Sequence, residues 1–493
     1  MKINSTTRKI FFTIVIFAGI NSVCNAQLNK LCPISSTVYN KKAVKGMNLL
    51  LNTKDFIPYF TPGGGTKLSS SVQLVNTQQP FPPLWFQMGN PVSDTGNFVA
   101  TTFLADIKIQ KQGGDLTFFF SYPGKLYGSV TIDTANLQTK DTLIKYPTTY
   151  KDMVMKQFDS HDYQVDAEGN QLFASQVYRK IDARCLSNLE SDSARTAVSN
   201  NIVILNSKDS IIFNWNPLDH ISPCEMYWEY KNSSLSYGDL INWSHLNSAR
   251  FANDGNILYS LRHIGLGKIN RKTGEIMWKL GGKDSTNSIH LPDSARYFLQ
   301  HDFSQREDGL YSVFSNGDLS HLYAEGLVYK IDEVNKTAVL ESRYRTKPDI
   351  FSMALGSYQC QNDNCIINYG MQKPTATPTQ DMAHILVKDK LAAVISGPQM
   401  NFSYQVHETK WAAAQRRPVV RLKKKILYSD SKSGLHDYNW YKIEGNTAIP
   451  VGSGTSFTPI ISGKYVVEAI QGLGLFKSYL VSNVFTYIVP KKK

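Results

Sequence analysis

One short pattern recurs along this chain and limits the folds open to it: a turn rich in Gly, Asp, Glu and Asn runs directly into an apolar strand. The five copies read GGDLTFFFS near residue 113, EGNQLFAS near 168, DGNILYSL near 254, EDGLYSVF near 307 and DNCIINYG near 363. Their spacings are about 55, 86, 53 and 56 residues, so most copies share a period of about 50. A repeat of this length, with several short strands per unit, is typical of a β-propeller.

The segments between the copies complete the repeat. SVTIDTANLQTKDTLIKY, GKINRKTGEIMWKL and VYKIDEVNKTAVLESRY each contain two strand-like runs joined by a polar turn, which is the pattern of a β-hairpin. Helical periodicity is scarce. We therefore expect an all-β fold in which each unit forms one blade, and we interpret the single wide spacing as an insertion around residues 216–244.

The N-terminus has the three parts of a signal peptide, predicted here as residues 1–26. Basic residues that include Arg8 and Lys9 precede an apolar run from Ile10 to Ile20, and cleavage is expected after Ala26. The apolar run is short for a membrane span, and no later segment has about 18 consecutive uncharged apolar residues. The sequence thus predicts an exported protein, periplasmic or secreted, without a transmembrane segment.

Three further regions follow. Residues 27–100 are expected to form an N-terminal β region that partly packs on or completes the propeller, and residues 101–415 to form the propeller itself. Residues 416–493 differ from the repeat, because the stretch around Trp440, a threonine-rich turn and a later Gly-Lys-Tyr resemble a small immunoglobulin-like sandwich without its cysteine pair.

Of the six cysteines, five remain after removal of the signal peptide, and an odd number predicts at least one free thiol. Cys360 and Cys365 flank a Gln-Asn-Asp-Asn turn, across which two antiparallel strands can place them side by side. We therefore predict a disulfide between them. The pairing of Cys32, Cys185 and Cys224 stays open.

The formal net charge is +13 at pH 7, and part of it is concentrated in the RRPVVRLKKK run at residues 416–425. A cationic exported protein can favour anionic substrates or surfaces, although a solvated basic surface would give the same count. No segment combines basic and aromatic residues as a nucleic-acid-binding module does, so no nucleic acid partner is expected.

Histidines recur at one place in the repeat. His161-Asp162 and His301-Asp302 each stand one short strand ahead of a turn and another strand. In a propeller, equivalent positions of successive blades converge on the central axis, so such side chains would point into one funnel. The stretches NWSHLNSARF and SLRHIG, between the two pairs, add three further polar residues: His245, Asn247 and Arg262.

In this order the motifs resemble those of the bacterial arylsulfate sulfotransferases, from about residue 100 to 415. The matching stretches are His-Asp, Trp-x-His-x-Asn-Ser, Ser-x-Arg-His, a Gly-Glu-Ile-x-Trp-x-Leu-Gly-Gly segment and Gln-His-Asp. The resemblance implies a six-bladed propeller with its active site in the central channel. It also implies transfer of a sulfuryl group from a phenolic sulfate to a phenol through a sulfohistidine, with no nucleotide sulfate donor, metal or other cofactor.

The resemblance also assigns the site residues. His301 becomes the nucleophile, and Asp302 could fix its tautomer or cap a turn. A neutral imidazole has the free lone pair that a covalent intermediate requires, and guanidinium or amide donors suit the sulfuryl oxygens and the leaving phenolate. The sulfuryl-binding and proton-transfer set comprises His161, His245, Asn247 and Arg262.

Two positions depart from the family's usual pattern and leave the acceptor preference open: Asn242 and Ser315 each stand where an Asp is usual. His263 is expected on the opposite face of its strand from Arg262 and is therefore left out of the site. Six more histidines are interpreted as structural, and the last of them precedes an Asp in the sandwich, so His-Asp alone is not diagnostic: His220, His290, His321, His384, His407 and His436.

Two other functions remain open. A catalytically silent propeller could bind an anionic aromatic or glycan ligand, but binding alone has no need of a nucleophile such as His301 beside Arg262. A metal-dependent hydrolase could be built on three histidines, but no His-x-His pair or Glu-rich strand supports it. The sequence does not indicate the physiological donor and acceptor or the oligomeric state.

Overall fold

A computed structural model describes most of the chain after the predicted signal peptide. The predicted cleavage site and Cys32 lie outside the described residues. These are 35–44, 47–57, 67–76, 85–88, 103–110, 114–122, 126–132, 139–143, 149–150, 153–154, 157–186, 194–226, 236–237, 240–282, 288–361, 363–373, 377, 379–398, 401–409, 418–429, 435–444, 447–471, 476–482 and 484–490.

Within this part of the chain the fold is all-β, as the sequence indicates. Three single-turn 3₁₀ helices interrupt the strands, namely Pro217–Asp219, Pro223–Glu225 and Asp293–Ala295. The strands of the N-terminal region are β1 (Ser35–Val38), β2 (Asn48–Ile57), β3 (Lys67–Asn76) and β4 (Trp85–Met88).

Within its described residues, the repeat region contains the next 28 strands. In chain order they are β5 (Phe103–Ile109), β6 (Leu116–Tyr122), β7 (Leu126–Ile132), β8 (Thr139–Leu143), β9 (Thr149–Tyr150), β10 (Met153–Val154), β11 (Gln157–Val165), β12 (Gln171–Ile181), β13 (Arg195–Leu205), β14 (Ile211–Trp215), β15 (Ser236–Tyr237), β16 (Leu240–Asn242), β17 (Leu246–Phe251), β18 (Ile257–Leu261), β19 (Gly265–Ile269), β20 (Ile276–Leu280), β21 (Ser288–Ile289), β22 (His301–Gln305), β23 (Tyr311–Ser315), β24 (Glu325–Asp332), β25 (Thr337–Arg345), β26 (Ser352–Ala354), β27 (Ser357–Gln361), β28 (Asn364–Asn368), β29 (Met371–Gln372), β30 (Thr379–Val387), β31 (Lys390–Pro398) and β32 (Asn401–Thr409).

Among the described residues, these strands form six larger sheets, whose first strands lie against one another in succession, and two small two-stranded sheets, β9-β10 and β26-β29. Four sheets are antiparallel meanders, β5 to β8, β11 to β14, β17 to β20 and β22 to β25. The fifth runs β27-β28-β30-β31-β1 and the sixth β32-β2-β3, so N-terminal strands complete both. The ring of neighbouring first strands is β5, β11, β17, β22, β27 and β32, and β32 again contacts β5.

The repeated cores found in the sequence coincide with the second strand of each of the first five sheets: β6, β12, β18, β23 and β28. The hairpins between the cores supply the third and fourth strands. The wide spacing holds an insertion, in which two 3₁₀ helices precede β15 and β16. A disulfide between Cys185 and Cys224 ties this insertion to the end of β12.

The apolar core lies between successive sheets. Leu172 and Ile202 pack with Tyr259 across the second and third sheets, and Trp278 packs with Phe303 across the third and fourth, all fully buried. Each such side chain contributes about 1.5–3 kcal/mol by its burial. Packing of this kind fixes the first strands rigidly, and those strands carry the candidate site.

The C-terminal region forms two further sheets around a separate core. Its strands are β33 (Val420–Lys423), β34 (Ile426–Ser429), β35 (Leu435–Glu444), β36 (Thr447–Ser453), β37 (Ser456–Phe457), β38 (Gly463–Gln471), β39 (Phe476–Val481) and β40 (Phe485–Tyr487). One sheet is β33-β34-β37; the other is β36-β35-β38-β39-β4, with β40 also on β38. Trp440 and Tyr465 lie fully buried in the core that residues of both sheets form. The 27–100 region is thus divided, since β1 to β3 join the repeat sheets and β4 joins this one.

Candidate active site

In three of the repeat sheets, the first strand contains a shift of register near a histidine, and these shifts direct side chains toward one place. The register shifts between Asp159 and Tyr163 in β11, between Leu246 and Ser248 in β17, and after His301 in β22. A bulge of this kind redirects the side chains beside it. His161 lies within the first shift, His245 directly precedes β17, and His301 begins β22.

Three histidines that are distant in sequence meet here. The ring centroids of His161 and His245 are 5.2 Å apart, and those of His245 and His301 are 6.3 Å apart. Tyr404, on β32, lies beside them: its ring is 6.0 Å from that of His161, and its hydroxyl donates to the His161 carbonyl at 2.8 Å. The site therefore draws on the second, third, fourth and sixth sheets.

His301 is oriented by a hydrogen bond at its Nδ1. Its Nδ1 lies 2.6 Å from Oδ1 of Asn316. The Asn316 amide nitrogen donates to Ser352 Oγ at 2.9 Å and to the Leu355 carbonyl at 2.8 Å, which turns its oxygen toward the ring. We infer from this network that Nδ1 carries the proton and Nε2 the lone pair. Burial, and next the charge of Arg262, hold the pKa of His301 well below its ordinary value.

His161 is paired with a buried carboxylate. Its Nδ1 is hydrogen-bonded to Asp159, which also accepts from Asn200 Nδ2 at 2.7 Å and Gln176 Nε2 at 3.3 Å. Burial raises the pKa of Asp159, but the charge of His161 and these hydrogen bonds outweigh it and lower that pKa overall. Asp159 is thus an ionised partner that can stabilise a proton on His161.

His245 has an amide nitrogen as its partner, since Asn242 Nδ2 lies 2.8 Å from its Nδ1. Burial lowers the pKa of His245 well below its ordinary value, and electrostatic interactions with neighbouring groups, His161 first and Arg262 next, lower it further. His263 lies behind it, with ring centroids 5.3 Å apart, and its Nδ1 donates to the Asn242 carbonyl at 2.8 Å. Strand β18 ends before this residue, so the alternation used to leave it out does not apply there.

Arg262 stands at the mouth of the site, in the turn between β18 and β19. Its Nη2 donates to the Met353 carbonyl at 2.8 Å, and its charge lowers the pKa of His245, His263 and His301. It also lines a cavity of about 380 Å³. The cavity's other walls include Arg296, Gln300, and the rings of Phe298 and His321, which stack with centroids 3.8 Å apart.

Asn247 is buried against the backbone that directly precedes His301, the candidate nucleophile. Its Nδ2 donates to the Gln300 carbonyl at 2.6 Å, and Gln300 Nε2 donates to the Leu261 carbonyl at 3.0 Å. The amide therefore holds the backbone that leads into His301. Its Oδ1 has no hydrogen-bond partner among the residues that the structure describes. A role for Asn247 in substrate binding stays a prediction.

The aspartates of the two His-Asp pairs tie neighbouring sheets together. Asp302 accepts from Arg250 Nη2 at 2.5 Å and from the Tyr358 amide at 2.8 Å. Asp162 accepts from Arg250 Nε at 2.8 Å and from Lys108 Nζ at 2.5 Å. Asp302 makes no hydrogen bond to His301, so Asn316 is the residue that fixes the tautomer.

The other predicted positions lie away from this cluster. Cys360 is bonded to Cys365 across the β27–β28 hairpin, the pairing expected from the sequence. His384 is buried between Tyr344 and Asp381, and His436 lies in the C-terminal region beside Asp437. Among the described residues, no His, Cys, Asp and Glu side chains group as metal ligands would, and no helix is long and apolar enough to cross a membrane.

The geometry defines a class of protein: an all-β scaffold that brings three histidines from distant parts of the chain together beside an arginine. The sequence profile described as arylsulfotransferase (ASST) matches residues 112–386, which is more than half of the chain and includes every histidine of the cluster. The chain belongs to this arylsulfotransferase family.

Other comparisons add less. No curated protein matches the chain. Among solved structures, TolB from Acinetobacter baumannii has 8% identity over 73% of this chain and 67% of that one, with a TM-score of 0.38. A protein of unknown function from Dyadobacter fermentans has 11% identity over 77% and 94%, with a TM-score of 0.39. The periplasmic gluconolactonase of Pseudomonas aeruginosa has 9% identity over 74% and 99%, with a TM-score of 0.38. Scores this low support no conclusion.

Proposed function

We propose that this protein moves a sulfuryl group from a phenolic sulfate ester to a phenolic acceptor through a sulfohistidine on His301, by a ping-pong mechanism. One observation carries the proposal: Asn316, oriented by Ser352 and the Leu355 carbonyl, directs its Oδ1 at Nδ1 of His301, which supports a proton on Nδ1 and a lone pair on Nε2. Such a nitrogen is a nucleophile near neutral pH. No nucleotide sulfate donor and no resident cofactor enter the reaction.

In the first half-reaction, His301 Nε2 attacks the sulfur atom and forms an N–S bond. The S–O bond to the aryl group breaks, and its electron pair leaves on the phenolate oxygen. His161, protonated and stabilised by Asp159, gives its proton to that oxygen. Arg262 and His245 donate hydrogen bonds to the sulfuryl oxygens, which carry negative charge throughout.

In the second half-reaction, His161 takes the proton of the acceptor phenol. The phenolate oxygen attacks sulfur, and the N–S bond breaks with its electron pair returning to His301 Nε2. The cavity beside Arg262 has room for an aryl group, and the Phe298–His321 stack gives it an aromatic wall. Donor and acceptor would use this cavity in turn.

The same proposal includes the finer architecture. The six sheets would be the blades of a six-bladed propeller with the histidines in its central channel, and residues 416–493 with β4 would form an immunoglobulin-like sandwich. The succession of first strands and the shared sandwich core support this. The predicted signal peptide supports export to the periplasm or beyond.

The test is to mix the mature protein with p-nitrophenyl sulfate, with and without a second phenol, and to follow nitrophenol release. Transfer predicts release that depends on the acceptor, together with formation of the sulfated acceptor. Release without any acceptor would instead indicate hydrolysis. Absence of release under both conditions, combined with measurable binding of the ester, would favour a silent binding propeller.

A further inference from the structure

The three histidines of the site differ in the group that faces Nδ1, and that group decides where the ring carries its proton. A carboxylate or amide oxygen accepts a proton from Nδ1, whereas an amide nitrogen can only donate to it. In chain order, the partners are a carboxylate, an amide nitrogen and an amide oxygen: His161 with Asp159, His245 with Asn242, and His301 with Asn316.

Asn242 therefore imposes a protonation pattern on His245 that the other two histidines do not share. Because Nδ1 of His245 accepts from the amide at 2.8 Å, the proton of the neutral ring lies on Nε2. A proton on Nδ1 as well would meet the hydrogens of the amide. The titratable and charged groups that face the ring come from three neighbouring segments, and a positive charge on any of them opposes a second proton on His245: His161, Arg262, His263 and His301.

The backbone of Asn242 is fixed by its neighbours, which keeps its side chain beside His245. The residue ends β16, which pairs in parallel with β13 and sets Asn242 opposite Val198. Its carbonyl accepts the Nδ1 proton of buried His263 at 2.8 Å. The next residue, Trp243, is fully buried and donates its backbone amide to the Val198 carbonyl at 3.2 Å.

We infer that Asn242 is a positioning residue that keeps His245 as a neutral Nε2–H donor toward the transferred group. This inference rests on the proposed sulfuryl transfer and gives each histidine one role. His301 attacks the sulfur atom, His161 transfers the proton of the phenol, and His245 only donates a hydrogen bond. A donor that does not titrate keeps its hydrogen bond to the sulfuryl oxygen across the neutral and alkaline range.

Replacement of Asn242 by aspartate tests this directly. The carboxylate of Asn242→Asp would accept from Nδ1 of His245 and raise the pKa of the ring. At acidic pH the doubly protonated ring still donates from Nε2. At alkaline pH the neutral ring keeps its proton on Nδ1 and turns a lone pair toward the sulfuryl oxygens. We expect kcat of the variant relative to wild type to fall by about 10²-fold with rising pH, the scale of one lost oxyanion donor.

A matched control adds the same charge elsewhere. Asn335→Asp, in the exposed turn between β24 and β25, should leave the pH profile of kcat unchanged. A pH profile of Asn242→Asp that superimposes on that of wild type, once scaled, would overturn the inference. Asn242→Ala should lower kcat with less pH dependence, because it removes the partner without adding a charge.

A second readout does not depend on turnover. In protein labelled with ¹⁵N-histidine, the His245 signals are assigned by their loss in His245→Gln. We expect Nε2–H for His245 and Nδ1–H for His301 in the wild type, and a proton on Nδ1 of His245 in Asn242→Asp. Nδ1–H on His245 in the wild type would overturn the inference. The assay with phenols decides sulfuryl transfer separately, so the failure of either idea can be recognised.

Discussion

Several residues of the site adopt a backbone conformation that L-residues rarely take. His245 has φ 44°, and the two residues that bracket the nucleophile candidate, Leu299 and Asp302, have φ 47° and 56°. Such left-handed positions are costly for residues other than glycine and cluster where function requires a particular side-chain direction. Here they accompany the bulges that turn His245 and His301 toward each other.

At this scale the strongest prediction concerns the nucleophile. His301→Ala should abolish sulfuryl transfer, because the other two histidines of the cluster lack the contact with an amide oxygen that leaves a lone pair on Nε2 of His301. The fold should persist, with a free energy of unfolding lower by about 1–3 kcal/mol, because Asn316 Oδ1 loses its buried partner. Transfer is measured with p-nitrophenyl sulfate and a phenol, and folding by urea denaturation.

A covalent label identifies the same residue independently. Wild-type protein incubated with donor alone, then digested under mildly alkaline conditions that spare the N–S bond, should yield a sulfated peptide containing His301. His436→Ala, which alters a half-buried histidine of the C-terminal region, should leave both transfer and labelling unchanged. A label on another histidine would refute the assignment.

Arg262 has a different expected role, since it contributes charge and hydrogen bonds without forming a covalent bond. Arg262→Ala should keep the nucleophile but lower kcat by about 10²–10³, the scale of one lost oxyanion donor. Trapping of the sulfated enzyme should slow in parallel. If kcat held while only KM rose, Arg262 would serve ground-state binding instead of the transition state.

The sequence identified the histidines that meet but not the partners that define them. His161 and His301 stand at recurring places in the repeat, and a repeat brings equivalent places together. Asp159 and Asn316 escaped notice because single polar residues at strand ends resemble ordinary turn residues. Asn316 precedes a glycine and fits a turn, and only the fold shows that its amide donates to Ser352 and accepts from the imidazole.

At the scale of elements, the second strands were readable from the sequence because each carries its own turn signal and apolar run. The pairing of β4 with β39 was not, since a four-residue strand has no local signature of a partner almost 400 residues away. The insertion was located by its spacing alone. Its content, including the disulfide from Cys224 to Cys185, depends on contacts between distant segments.

The buried ion pairs that join neighbouring sheets lead to a prediction about stability. Arg250 is buried between Asp162 and Asp302, and its charge, with that of Lys108, brings the pKa of Asp162 down to about 2 despite burial. Arg250→Met leaves buried Asp302 without its cation and Asp162 with Lys108 alone, and it should lower the free energy of unfolding by about 3–5 kcal/mol. Urea denaturation near pH 7 measures the change.

The control for this prediction is an ion pair that is exposed to solvent. Arg184→Met removes the partner of Asp182 on an exposed turn, and the denaturation midpoint should not move. Equal effects of the two substitutions would mean that the buried cluster contributes no more than a surface ion pair.

At the scale of the whole molecule, the last two sheets of the repeat combine strands from its two ends. Strand β32 pairs with β2, and β31 pairs with β1, so the N-terminal strands cover edges that would otherwise be open. The sequence suggested that residues 27–100 complete the repeat but could not give the register. Because pairing of this kind joins residues more than 300 positions apart, folding has to await a long chain closure.

The stability of the whole molecule should also depend on two histidines other than the candidate nucleophile, His263 and His407. Burial, and next the charge of Arg262, lower the pKa of His263 to about 3; burial, and next Lys108, lower that of His407 to about 3. Above pH 6.5 these rings are neutral in both folded and unfolded protein. Below it, the unfolded chain binds protons that the folded protein refuses, so the free energy of unfolding falls by about 1.4 kcal/mol per pH unit for each ring.

We therefore expect His263→Gln and His407→Gln each to make the free energy of unfolding depend less steeply on pH between about pH 6 and pH 4. The slope should fall by about 1.4 kcal/mol per pH unit, which is the contribution of one bound proton. Urea denaturation at several pH values gives the slope, and comparison with wild type cancels the carboxylates that titrate in both proteins. The slope is the test, because either substitution also changes packing and shifts the whole curve. A wild-type slope in His263→Gln would mean that His263 accepts its proton in the folded state, which would place a second positive charge directly behind His245.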